Sequence, residues 1–270
     1  MTLVIPSSVS PTAIRRAPRQ EARQSRLALS PRSCQAIGAR RSALGLGISW
    51  LVPIGYPGLM NLRERMESIY QELPLGRIPW NLEEPPELLV DLIQTRKIAP
   101  CDAVDIGCWC GNYAVWLAAQ GFRMTGIDIS AAAIALAGQL AREKGVQCLF
   151  VEGDVTEDVA RHGGAFDLGY DWEVLHHVFP KRRQAYVSNV YRMLRPGATH
   201  LSVCFSEEDL DFGGSGKYRK TPLGTTLYFS SEEEIEQLFS QKFRVLELDT
   251  TAIVGKYGPH MAVVALLERE

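Results

Sequence analysis

The chain has 270 residues, 46% of them hydrophobic and 22% charged, with a formal net charge of −2. That is enough apolar material for a full core and the profile of an ordinary soluble protein. No run of roughly 18 or more apolar residues occurs, so no membrane-spanning helix and no membrane partner is expected.

Residues 1–59 differ from the rest: they hold eight Arg, no Lys and one acid, Glu21, about +7, which leaves about −9 for the remainder. Rich in Ser, Pro and Ala and without sustained period, they predict a disordered leader. Three origins stay open: an organellar transit peptide, an export signal with the twin Arg of "ARRSALGLGISWLVPIG", or a non-native extension ahead of a start at Met60 or Met66. The acidic body, 60–270, argues against a nucleic-acid partner.

Along the body, "MNLRERMESIYQEL" (60–73) predicts an amphipathic helix. A proline-punctuated loop, "LGRIPWNLEEPP", precedes the helix "PELLVDLIQTRK", with Pro86 in its first turn. The strand "DAVDIGC" leads to the helix "NYAVWLAAQG", stopped by Gly121. The strand "RMTGIDIS" leads to the helix "AAAIALAGQLAREKG", which ends at Gly145. The strand "QCLFVEGD" is followed by a short helix near 156–161. The strand "FDLGYDW" is followed by the helix "KRRQAYVSNVYRMLRPG" and the strand "THLSVCFS".

Alternating strands and helices imply parallel pairing, with right-handed crossovers placing helices on both faces. Residues 206–228 read as a long loop. Ser231 and Glu234 form a capping box for the next helix. The strands "FRVLELDTTAIVG" and "MAVVALLER" are joined only by "KYGPH", too short for a crossover, so they must be antiparallel. The expected fold is α/β: a doubly wound, Rossmann-like, three-layer αβα sandwich, mostly parallel, with a C-terminal antiparallel hairpin.

Ligands in such sheets bind at the carboxyl ends of the strands. In "VDIGCWCGNYAVWLA" the first strand ends at Asp105–Gly107 and its helix begins near Asn112, so free N–H groups and a positive helix end face that edge. A dinucleotide fingerprint needs GxGxxG, but Trp109 and Asn112 occupy its second and third places, which disfavours NAD. Asp128 ends the second strand, where an acid can accept ribose hydroxyls; it can also cap "SAAAIALA". Asp154 in "EGDV" can accept from an adenine amino group, with Val155 against the ring; it too can be a cap. Three acids at successive strand ends suit a ligand with a ribose, an amino group and net positive charge.

The pattern resembles a class I S-adenosylmethionine-dependent methyltransferase over roughly 75–270. "VDIGCWCG" resembles its first motif, "GIDIS" its ribose motif, "EGDV" its adenine motif and "MLRPGATHLSV" its late helix–strand motif. More narrowly, "IPWNLEEPPELL" and "DWEVLHHVFPKRRQAY" resemble the thiopurine and tellurite-resistance type of small-molecule methyltransferases.

The resemblance implies S-adenosylmethionine as cofactor. Asp105, Gly107 and Gly111 would hold its methionine end, with Cys108, Asn112 and Tyr113 in the same turn. Asp128 and Ile129 would hold the ribose, and Asp154 and Val155 the adenine. Trp109 departs from the glycine usual in that motif, so the turn must differ, its indole turned outward or stacked near the cofactor.

Asp171, at the tip of "FDLGYDW", is expected to face the cofactor's ammonium or the substrate, and Trp172 to pack on the cofactor. His176 and His177 are candidate proton acceptors, or else pack a helix. Trp80 is a candidate lid. In "FGGSGKYRKTPLGTT", Tyr218 and Arg219 are candidate substrate contacts, as is His177; the alternative for this basic loop is a solvated surface. The expected activity is methyl transfer to a small acceptor, a thiol or other soft heteroatom, the alternatives being an RNA or protein methyltransferase or a non-catalytic nucleotide-binding module.

The six cysteines (Cys34, Cys101, Cys108, Cys110, Cys148, Cys204) are scattered without repeated CxxC spacing. They read as reduced thiols of a cytoplasm-type compartment, or of an organellar or exported one if the leader is a targeting segment. Cys108 and Cys110 lack a second Cys/His pair, so no metal is expected. Oligomeric state is not legible.

Overall fold

The computed structural model describes residues 61–95, 98–157 and 162–270. The leader expected over 1–59 and most of the short helix expected near 156–161 lie outside those residues.

Seven strands form one sheet. They are β1 (Asp102–Ile106), β2 (Arg123–Asp128), β3 (Cys148–Glu152), β4 (Phe166–Trp172), β5 (Leu194–Phe205), β8 (Phe243–Ile253) and β9 (His260–Arg269), in the order β3-β2-β1-β4-β5-β9-β8. The first five pair in parallel, and β9 lies antiparallel between β5 and β8. The chain reverses direction of travel across the sheet beside β1, between β2 and β4, and ligand crevices form at such a switch point.

Helices cover both faces. Helices α2 (Glu87–Thr95) and α3 (Asn112–Ala119) bury Leu89, Leu92, Ala114 and Leu117 on one side; α5 (Pro180–Met193) and α6 (Glu232–Phe239) bury Tyr186, Val190, Ile235 and Phe239 on the other. Helix α4 (Ala131–Lys144) is capped by the Ser130 hydroxyl and stopped by Gly145 in the left-handed region. It buries Ala133, Ala137 and Ala141, small enough for close approach to the strand tips. Helix α1 (Leu62–Glu72) starts with a capping box between Asn61 and Glu64, and α6 with the expected one between Ser231 and Glu234.

Two boundaries differ from expectation. The helix α5 stops at Met193, because Leu194 already pairs with Phe166 as β5 begins. The pairing then skips from Leu194 to Thr199, past Pro196 and Gly197. Within the expected loop 206–228, β6 (Tyr218–Lys220) and β7 (Thr226–Tyr228) form a small antiparallel hairpin.

Candidate functional site at the strand tips

The turn after β1 is stitched to the tip of β2. The amides of Gly107 and Cys108 donate to the Ile127 carbonyl at 2.7 and 3.0 Å. The Asp128 carboxylate accepts from the Trp109 amide at 3.0 Å and the Ser130 amide at 2.9 Å. Gly107 and Gly111 have φ of +73° and +81°. A Cβ on Gly107 would overlap Val174 Cγ2, and one on Gly111 would lie 2.9 Å from Ala137 Cβ. Only glycine combines that φ with that clearance.

Trp109 does not reshape the turn as its bulk predicted. It enters the left-handed region itself, with φ of +49°. Its indole is buried rather than turned outward. It packs on Tyr70 of α1 and donates from Nε1 to Asn81 Oδ1 at 3.1 Å. Asn81 Oδ1 also accepts from Asn112 Nδ2 at 3.1 Å. One amide oxygen thus clips the 78–82 segment to the glycine turn. Trp80 stands edge-on to Tyr70 at 6.1 Å. Helix α1 is fastened by Glu67, which accepts from the Ser130 hydroxyl and, at 3.1 Å, from the Ala132 amide.

Asp105 is buried beneath the turn; burial first, then the repulsion of Asp128 and Asp171, pushes it up to about 7 against the Tyr170 hydroxyl beside it. Burial pushes Asp128 up to about 6 despite its amide bonds. Burial also raises the thiol of Cys108. Tyr113 is half-buried on the first turn of α3 and Ile129 half-buried beside Ser130. At β3, Asp154 Oδ1 accepts from the amide and hydroxyl of Thr156 at 2.8 and 2.5 Å, and its Oδ2 lies 3.4 Å from Arg182. Val155 is buried next to it.

Several expected site residues stand elsewhere. Asp171 does not project from the tip of β4. It is fully buried toward α5, accepting from the Tyr186 hydroxyl at 2.6 Å and lying 3.2 Å from His200 Nε2, because strand alternation turns it away from Tyr170 and Trp172. His176 is buried and stacked on Phe205 at 4.3 Å, and burial holds it well below the usual imidazole range. Arg219 is a loop staple rather than a substrate contact. Its guanidinium donates to the carbonyls of Gly216, Glu207 and Asp209 and lies 3.9 Å over the Phe229 ring. Tyr218 is exposed, edge-on to Phe179 at 5.5 Å.

Trp172 and His177 do remain near the β4 tip, half-buried, with Trp172 Nε1 and His177 Nδ1 lacking partners among the described residues. Burial pulls His177 down to about 4. A residue the sequence reading passed over is Glu173: half-buried, with φ of +62°, and pushed up to about 7 by burial alone.

Asp105, Asp128 and Glu173 are thus carboxyls raised into the neutral range. Burial without a compensating cation produces such values. A ligand bearing sulfonium and ammonium charge supplies what the buried Asp105 and Asp128 lack, so these two residues fit S-adenosylmethionine.

Known proteins agree with this architecture. Residues 103–197 match the family described as a methyltransferase domain. A 2-heptyl-1-hydroxyquinolin-4(1H)-one methyltransferase of Mycobacteroides abscessus is 28% identical over 54% of this chain and 66% of its own length. A ubiquinone biosynthesis O-methyltransferase of Cronobacter sakazakii is 35% identical over 35% of this chain. The chain spans just under two thirds of the first relative and 38% of the second. The structure of a Burkholderia thailandensis 1,6-didemethyltoxoflavin-N1-methyltransferase with bound S-adenosylhomocysteine superposes with a TM-score of 0.56 at 19% identity, covering 77% of this chain and 87% of that one. Residues 103–197 thus resemble a methyltransferase domain, and the seven-stranded sheet with its antiparallel end has the Rossmann-like fold of that solved structure.

Proposed function

We propose that the chain transfers a methyl group from S-adenosylmethionine to a small-molecule acceptor. The observation that carries this is the pair of buried carboxyls Asp105 and Asp128 at the tips of β1 and β2, Asp128 fastening the glycine turn through the Trp109 and Ser130 amides. When bound, the cofactor supplies an electrophilic methyl on a sulfonium whose leaving group is a neutral thioether.

The protein's part is positioning, worth up to roughly 7–11 kcal/mol in favourable cases. Asp128 retains a lone pair on each oxygen after accepting from Trp109 and Ser130, and these accept the ribose hydroxyls. Gly107 and Gly111 allow close backbone approach for the methionine end. Val155 flanks the adenine, and Asp154 accepts from its amino group with the capacity that Thr156 leaves. Tyr70 and Trp80, carried by α1 and the segment after it, exclude water from above. Trp172 and His177 line the acceptor side. Asp171 acts from below by holding the Tyr186 hydroxyl, not on the acceptor.

The acceptor class is supported by the two curated relatives, named for a hydroxyquinolone and for O-methylation. A thiol or other soft heteroatom is the acceptor that the narrower motif likeness favours. We place the catalytic domain at 60–270, with 1–59 as a leader. Cytoplasm is the proposed setting on the unpaired state of Cys101, Cys108, Cys110, Cys148 and Cys204. No helix among the described residues is long and apolar enough to cross a membrane.

The test is incubation with methyl-labelled S-adenosylmethionine and a panel of phenols, N-hydroxy heterocycles, thiols, halides and amines. Label on a small molecule is expected. Label only on RNA or protein rejects the acceptor assignment, and failure to bind S-adenosylhomocysteine rejects the function.

A further inference from the structure

Two residues other than glycine adopt positive φ among the described residues, Trp109 and Glu173. They lie at the tips of adjacent strands, since β1 pairs with β4 through Ile106 and Asp171. Non-glycine residues persist in that region only where the surroundings enforce it, and such places cluster at functional sites. For Trp109 the gain is visible in the packing on Tyr70. Glu173 shows no such gain: its side chain makes no hydrogen bond or ion pair among the described residues, though its amide is anchored to the Val203 carbonyl at 2.9 Å. The next residue, Val174, fills the space over Gly107. The strained turn therefore holds a half-buried, uncommitted carboxylate at the β4 tip, next to the residue that packs on Gly107 and close enough to Tyr113 of α3 to act on its hydroxyl.

Most other ionisable groups at this edge are already engaged, and His177, whose Nδ1 has no partner among the described residues, is pulled by burial down to about 4, below the range of a base at neutral pH. Asp171 accepts from the Tyr186 hydroxyl, with His200 Nε2 3.2 Å away, and Asp128 is held by two amides. Asp105 lies under the turn beside Tyr170, and His176 is stacked on Phe205. We propose that Glu173 is the catalytic base that takes the proton of a neutral hydroxyl or ring N–H acceptor as that atom is methylated.

In this step the acceptor's lone pair forms the new bond to the methyl carbon and the carbon–sulfur bond breaks, its electron pair leaving with the thioether. The acceptor's proton passes to a Glu173 oxygen and then to water. The proposal rests on the methyltransferase reading and narrows it: a carboxylate placed here disfavours an acceptor that arrives as an anion, such as a thiolate. Burial raises Glu173 to about 7, close to the working range of a general base. The titratable group that faces it is Tyr113 from α3, whose own proton its charge helps retain; Asp105 of β1 acts on the same hydroxyl, and His177, four residues on, is neutral at pH 7.

The test uses the full chain with Glu173→Gln and Glu173→Asp, and 2-heptyl-1-hydroxyquinolin-4(1H)-one and thiophenol as probes. Calorimetry gives S-adenosylhomocysteine affinity, and kinetics give kcat and KM against pH. Infrared difference spectra of the free protein follow the carboxyl band that Glu173→Gln removes. Expected for Glu173→Gln are a kcat on the hydroxyquinolone lowered on the order of 100-fold or more, little change in KM or S-adenosylhomocysteine affinity, and loss of an acid limb near pH 7. Expected for Glu173→Asp is partial kcat with the limb retained, which decides the matter if the Gln variant does not fold. The infrared band should titrate near the same pH.

Wild-type kcat with an unchanged limb in Glu173→Gln, wild-type kcat in Glu173→Asp, or faster wild-type turnover of thiophenol than of the hydroxyquinolone overturns this assignment alone. A wild-type protein that binds no S-adenosylhomocysteine overturns the methyltransferase reading and this one with it.

Discussion

The ring of Trp109 lies 3.9 Å from that of Tyr70, centroid to centroid, at an interplanar angle of 41°. A tryptophan in the left-handed region of the turn after β1 thereby joins that turn to α1. Its bulk is a wedge into the cluster of Met66, Ile69, Tyr70 and Ile78.

Truncating that wedge separates packing from backbone conformation. Trp109→Ala should cost about 3–5 kcal/mol in urea denaturation, the usual range for a buried Trp. Trp109→Gly loses the same ring but fits a φ of +49° without strain, so it should be more stable than the Ala variant by about 1 kcal/mol. The usual preference for Ala over Gly would reappear if the turn were not left-handed in solution.

Gly107→Ala should be among the most damaging single-atom additions. It combines a φ of +73° with overlap of Val174 Cγ2. A loss of about 2–4 kcal/mol is expected from these two effects together, read as a fall in the denaturation midpoint. Gly145→Ala, also left-handed but with open space around its Cβ position, should cost less.

Asp128→Ala should act on both stability and binding. Two main-chain N–H groups lose their acceptor, at about 1–3 kcal/mol for each one left unsatisfied. S-adenosylhomocysteine affinity should fall on the order of 10–100-fold, measured by calorimetry, through loss of charge-assisted bonds to the ribose. A variant that loses stability but keeps full affinity would show the acid to be a cap alone.

The raised carboxyls predict a pH dependence with a definite sign. Asp105 and Asp128 titrate near 7 and 6 in the folded chain, above the ordinary carboxylate range. The folded state then binds more protons than the unfolded one between about pH 4 and 7. Their contribution to stability is complete below the unfolded value and is lost as pH rises through 6–7. A cationic ligand prefers the ionised forms, so S-adenosylmethionine should bind more tightly at pH 8 than at pH 5.5, with proton release. Calorimetry in two buffers of different ionisation enthalpy measures both.

Much of this arrangement was readable from residue order. The five apolar runs, the Ser231–Glu234 capping box and the short "KYGPH" connection suffice for the parallel sheet with its antiparallel end. The end of α5 was not legible, because Leu194 pairs with Phe166 only once β4 is in place. The facing of Asp171 follows from strand alternation against β1 and β5, which no local spacing reports. Arg219 looked like a cation for a substrate, yet its partners are carbonyls of its own loop, invisible to a charge pattern. Glu173 was masked by the histidines after it. The signal that would have found it is an acid between Trp172 and Val174 immediately past a buried strand.

Glu67 ties α1 to the start of α4, and the bond from the Ser130 hydroxyl, with the amides behind it, holds its carboxyl below the usual glutamate range. Across the series 5, 6, 7 and 8 on the pH scale this tether therefore keeps its charge while the carboxyls underneath change theirs. Acid releases the tether only after those have been neutralised, so the fastening of α1 outlasts the charge of Asp105 and Asp128 as a sample is acidified.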